Sequence, residues 1–149
     1  MPSKWLIYSL FFLLAGCSLL NPDLKTISKV KIGSTEVKVR VSSTVQDLQR
    51  GLAGVTSLAW DQGMLFVFPK KDYYSFWMKG MLIPLDIIWL DGQQVIGLSE
   101  NVQPPDSQTP DSDLPAYRIF KPVDYVLEVP AGFVAKYGVK VGDQAEYLK

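Results

Sequence analysis

The chain has 149 residues, with 15 lysines plus arginines balanced by 15 aspartates plus glutamates, one cysteine and no histidine. Without imidazole there is no Ser-His-Asp triad and no zinc site of the usual histidine-containing kinds, and one cysteine allows no intrachain disulfide. No run of five or more basic residues occurs, so the electrostatic footprint of a nucleic-acid binder is missing and no nucleic-acid partner is expected.

The first segment opens with Lys4, continues as an apolar run over residues 5–16 and ends at Cys17. A positive start, a short apolar stretch and small residues before a cut site describe a secretory signal. A membrane-spanning helix needs roughly 20 apolar residues, more than this run supplies. Leu14-Ala15-Gly16-Cys17 resembles the bacterial lipobox, in which a diacylglycerol is attached to the cysteine sulfur and the chain is cleaved just before it. That resemblance implies a signal peptide over residues 1–16, a lipidated cysteine and tether over 17–28, and a single domain over 29–149. Two long acyl chains suffice for stable anchoring where one does not. The expected address is outside the cytoplasm, on the cell membrane or the outer membrane. Ser18 stands where aspartate often marks retention at the inner membrane, so transfer to an outer membrane is permitted. Acylation of Cys17 would leave no thiol, and any catalysis would rest on carboxylates, lysine, tyrosine or a hard metal.

About 120 residues remain for the domain, enough for one core. Over residues 36–41 valines alternate strictly with charged residues, as a half-buried strand requires. Thr44 stands three residues before Asp47, a capping-box-like spacing, and Val45, Leu48 and Leu52 recur at helical intervals, which predicts a short helix to about Leu52 flanked by Gly51 and Gly54. The continuous apolar run 64–68 between Gly63 and Pro69 predicts a strand buried on both faces, and the aromatic-rich residues 73–77 predict another. Residues 85–90 and 93–98 flank Asp91-Gly92, a hairpin signal because this two-residue turn tolerates positive φ at both positions. Pro84 sits where a strand can start without losing a ladder bond. Four prolines and three aspartates over residues 101–116 predict an exposed, mobile loop. A strand over 125–129, a short helix over 131–137 closed by Gly138, and a last strand over 144–148 complete the pattern. Strands outnumber helices without a βαβ rhythm. The expected fold is mainly β: a small antiparallel β-barrel or rolled sheet with two short helices.

Several of these segments, taken in order, resemble the bacterial and archaeal family called domain of unknown function 192. They are Arg50-Gly51-Leu52, Gly63-Met-Leu-Phe-Val-Phe68, Phe76-Trp77-Met78-Lys79, Ile83-Pro84-Leu85-Asp86-Ile87-Ile88, Tyr125-Val-Leu-Glu-Val-Pro-Ala-Gly132 and the stretch from Gly138 to Asp143. The resemblance spans residues 31–149 and implies a compact, mainly-β domain, often exported or lipid-anchored, with no established reaction. Two departures stand out. The Trp-Met-Lys of the family is typically followed by asparagine and threonine, where this chain has Gly80 and Met81, and the cysteine often found after the hairpin is absent around Gln103.

Five residues are candidates for a ligand site: Arg50, Trp77, Lys79, Asp86 and Glu128. Alternation places Phe76 and Met78 on one face and Trp77 and Lys79 on the other, so Trp77 could form a stacking platform with Lys79 at its rim for a sugar ring or an apolar ligand carrying an anionic group. The plain alternative is that these residues fill a barrel and its mouth. Asp86 and Glu128 lie in strongly apolar strands and have to be paired, hydrogen-bonded or raised in pKa, with Arg50 and Lys79 as natural partners. Asp106, Asp111 and Asp113 lack the spacing of a calcium loop, so no metal and no cofactor is expected. The function expected is a non-catalytic envelope binding module that takes cell-wall polymer, glycan or another envelope protein. The alternative is an envelope hydrolase using Asp86 and Glu128 as paired acid and base, with Lys79 or Arg50 stabilising negative charge.

Overall fold

The computed structural model describes residues 26–149. The expected signal peptide, Cys17 and most of the tether lie outside the described residues. Seven strands form one sheet: β1 (Lys29–Ile32), β2 (Thr35–Ser42), β3 (Gln62–Asp72), β4 (Leu85–Asp91), β5 (Gln94–Val102), β6 (Val123–Pro130) and β7 (Ala145–Leu148). Their order across the sheet is β5-β4-β6-β3-β2-β1-β7. The pairings are antiparallel except β2 with β3, which run parallel. The sheet curls into a half-barrel whose two edge strands meet at one end. There Gln94 bridges Gln144, Val95 N donates to Asp143 O at 2.9 Å, and Ala145 N donates to Gln93 O at 2.6 Å. The expectation of a mainly antiparallel rolled sheet with two short helices describes this architecture.

Both predicted helices are present. α1 (Val45–Arg50) starts where the Thr44 side chain accepts from Asp47 N, and it lies in the crossover that the parallel β2–β3 pair demands. α2 (Phe133–Tyr137) ends at Gly138 in the left-handed region. The hairpin falls one residue later than expected: Asp91 pairs with Gln94, so the turn is Gly92-Gln93. Only Gly92 takes positive φ there, at 57°, the arrangement of a turn with glycine at its first central position.

Two expectations are corrected. β1 is a strand that none of the patterns above predicts; it is four residues long, with buried Val30 and Ile32 alternating with Lys29 and Lys31. Residues 73–77 form no strand, only a single bridge between Phe76 and Tyr117. The aromatic side chains of this segment pack onto the sheet instead. Tyr74 stacks on Phe68 at 3.6 Å, and Phe76 meets Phe66 and Trp89 edge-on at 4.9 and 5.5 Å.

The sheet is buried on both faces, which explains the unbroken apolar runs in β3 and β4. On the inner face Leu65, Val67, Ile88, Leu90, Leu127 and Val129 pack with Val30, Val37 and Val95, and Phe133 and Val134 of α2 close the end. On the outer face Met64, Phe66, Leu85, Ile87, Trp89 and Val126 are covered by Leu52, Met78 and Met81. The outer covering is built from loop and crossover rather than from regular elements, and this places a cleft there.

Candidate functional site

Glu128 sits in β6 directly opposite Met64 of β3 and Ile87 of β4. Directly paired residues share a face, so its carboxylate projects into the apolar outer layer. Its residue exposure is 5 %, and Oε2 has no hydrogen-bond partner. Burial with no compensating cation pushes its pKa up from 4.5 to about 8.

Above Glu128 a cavity of about 100 Å³ opens between α1, the segment 74–81 and the sheet. Its walls are Phe66, Phe68, Tyr74 and Phe76, with Leu52 and Met81, and Arg50, Trp77 and Lys79 border it as exposed residues. Gly51, the residue that ends α1 with φ 53°, lets the chain pass close over this floor. A Cβ there would stand 3.3 Å from Phe66 Cζ and 3.9 Å from Glu128 Oε2. Arg40 of β2 fixes that passage from below, donating from Nη2 to Gly51 O at 3.0 Å and reaching Met64 Sδ at 3.6 Å.

Four of the five residues chosen from the sequence therefore border one cavity: Arg50, Trp77, Lys79 and Glu128. The fifth does not. Asp86 pairs with Val129, one step out of register from Glu128, and so faces the inner core. Neither Arg50 nor Lys79 reaches it. Its Oδ1 accepts from Asn101 N at 2.7 Å and its Oδ2 from Val134 N at 2.8 Å. Val134 is in the first turn of α2, whose N-cap Gly132 offers no side chain, so Asp86 supplies the missing acceptor. A bulge in β5 and the positive φ of Asn101, 51°, aim the other N–H. The pairing of Asp86 with Glu128 as acid and base is thus corrected, because the sheet stands between them.

At the mouth, Lys79 pairs with Asp111 of the one-turn 3-10 helix Asp111–Asp113, and its Nζ lies 5.3 Å from the Trp77 ring centroid. Lys79 is therefore over the ring rather than at its rim, and that face of the expected stacking platform is taken. Arg50 has no ion pair among the described residues. Sequence reasoning missed Arg40, Gly51 as a close-approach position, and the wall residues Phe66, Phe68 and Tyr74. The alternation of β2 already placed Arg40 opposite its valines, but nothing in the sequence marks that face as covered. No cluster of three or more acidic or sulfur side chains able to hold a metal occurs among the described residues, and no helix among them is long and apolar enough to cross a membrane.

A family model, DUF192, described as "Uncharacterized ACR", matches residues 28–147. Among solved structures, one similar chain is a protein of Sinorhizobium meliloti 1021 described as a "putative transcription regulator". It is 27% identical with a TM-score of 0.72, over 80% of this chain and 92% of that one. Another is a protein of unknown function from Novosphingobium aromaticivorans DSM 12444, 28% identical with a TM-score of 0.72, over 81% of this chain and 85% of that one. No curated protein matches. The chain belongs to the DUF192 family.

Proposed function

We propose that this member of the DUF192 family is a lipid-anchored binding module of the bacterial cell envelope. The lipid on Cys17 holds it to a membrane, and its ligand enters the cavity bordered by Arg50, Trp77, Lys79 and Glu128. The ligand is carried by cell-wall polymer, glycan or another envelope protein. The observation that supports binding is Glu128. A carboxyl group that is buried without a partner is unfavourable in the empty protein and gains from any ligand that satisfies it. The same geometry speaks against hydrolysis by paired carboxylates, since Asp86 faces the other side of the sheet and is already bonded to two backbone N–H groups.

Two measurements test this reading. Mass spectrometry of the protein from membrane fractions is expected to show an N-terminus at Cys17 bearing the diacylglyceryl thioether; an intact Met1 or a free thiol at Cys17 overturns the anchor. Incubation of the same protein with peptidoglycan and its oligosaccharide fragments is expected to show retention without turnover, weakened in Trp77→Ala. Released fragments would establish an enzyme instead.

A further inference from the structure

We infer, resting on that reading, that the group taken into the cavity is an organic cation, an alkylammonium or a methylated ammonium, which pairs with the carboxylate of Glu128 between aromatic walls. Three observations carry this. The floor of the cavity is a carboxyl group that no donor of the protein satisfies. The walls are rings whose packing is already fixed: Phe68 and Tyr74 stack on each other, and Phe66 and Phe76 meet edge to face. These rings leave no flat platform for a sugar, but they offer the electron-rich surface that an ammonium favours. At the mouth the one cation that reaches over an aromatic face, Lys79, is neutralised by Asp111. An anionic group would have to approach the Glu128 carboxyl, and a neutral hydroxyl, which can bond the protonated acid, would form no ion pair with it.

The charged and titratable groups facing this site are Arg50 from α1, Tyr74 and Lys79 from the segment 74–81, and Arg40 from β2, which is held by Gly51 and Met64. None lies close enough to offset the burial of Glu128, which is pushed up to about 8. At neutral pH the empty cavity therefore holds the protonated acid. An entering cation converts Glu128–COOH into an ion pair and sends that proton to solvent, so binding releases close to one proton and strengthens as the pH rises through the pKa.

The test uses the full-length chain in detergent, titrated calorimetrically at pH 7 and pH 9. The probes are methylammonium chloride, tetramethylammonium chloride, sodium acetate and N-acetylglucosamine. Repeating the pH 7 titration in buffers of different ionisation enthalpy counts protons. Both cations are expected to bind, tetramethylammonium about tenfold more tightly at pH 9 than at pH 7 with proton release at the lower pH. Acetate is expected not to bind, and Glu128→Gln, whose folding circular dichroism checks, to lose the response. Cation binding that persists in folded Glu128→Gln, or is pH-independent, overturns the inference. So does saturation by acetate or N-acetylglucosamine alone, which leaves the binding-module reading intact. Absence of binding by all four probes removes the cation, and the peptidoglycan experiment then decides the module by itself.

Discussion

Asp86 and Glu128 differ by one register step on neighbouring strands, and both are almost wholly buried, at 0% and 5% exposure. On the inner face Asp86 is solvated by the protein itself, through two backbone N–H groups that would otherwise lack acceptors. On the outer face Glu128 Oε2 has no such partner and borders a cavity. The difference separates a carboxyl group that the fold uses from one that the fold tolerates. Regular elements on the inner side, α2 and the β5 bulge, bring N–H groups to fixed positions, whereas the outer covering of loops supplies apolar side chains and open volume.

The largest expected effect breaks the inner half of this contrast. Asp86→Ala removes the acceptor for two buried or partly buried N–H groups; hydrogen bonds to charged groups contribute about 1.5–3 kcal/mol each, so a loss of about 3–6 kcal/mol is expected by urea denaturation. A loss below about 1 kcal/mol would mean that water replaces the carboxylate and that the inner carboxyl group is as dispensable as the outer one.

Glu128→Gln is expected to move stability the other way, and only above a certain pH. The group binds its proton more tightly folded, about 8, than at the ordinary value of 4.5. Its contribution is therefore most favourable below 4.5, declines through the window up to about 8 and is level above it. Glutamine does not titrate, so the variant should match the parent near pH 4 and exceed it near pH 9. At about 1.4 kcal/mol per pKa unit the shift sets a ceiling near 5 kcal/mol, and water entering the cavity should bring the gain to about 2–3 kcal/mol. Parallel pH profiles for the two proteins would show that an unseen donor satisfies Glu128.

The asymmetry between the faces also governs what could be read from the residues alone. The alternation in β2, the cap at Thr44 and the apolar run in β3 are local patterns, and each marks an element where it was expected. Of the four site residues that converge, Glu128 is marked as a charge in an apolar strand and Trp77 with Lys79 as an aromatic beside a cation, while Arg50 enters only as a natural partner for the buried carboxylates. What stayed illegible is long-range. Nothing in Leu85-Asp86-Ile87 states that a bulge in β5 will turn the N–H of Asn101, 15 residues after Asp86, towards the carboxylate. Nor does a period-two pattern say which of two covered faces carries loops. Residues 73–77 look like a strand because aromatics favour strands, yet their rings are spent on covering β3.

The smallest expected effect sharpens the contrast at the mouth of the cavity. Lys79 and Asp111 form an ion pair, but their side chains are 49% and 60% exposed, and pairs of this kind contribute about 0–1 kcal/mol and weaken with salt. A double-mutant cycle of Lys79→Ala and Asp111→Ala, read by urea denaturation, should give a coupling below about 1 kcal/mol that shrinks further in 0.5 M NaCl. Removing Lys79 also frees the face of Trp77 that its ammonium covers. If the outer layer is a binding surface rather than a core, Lys79→Ala should leave stability nearly unchanged and tighten tetramethylammonium binding about two- to threefold, the size of an exposed cation–π contact. A coupling of several kcal/mol, or a large loss of stability on losing Lys79 alone, would instead make the mouth a structural clasp that holds the loop 103–116 against the segment 74–81, and the two faces of the sheet would then no longer divide into one built for the fold and one left for a ligand.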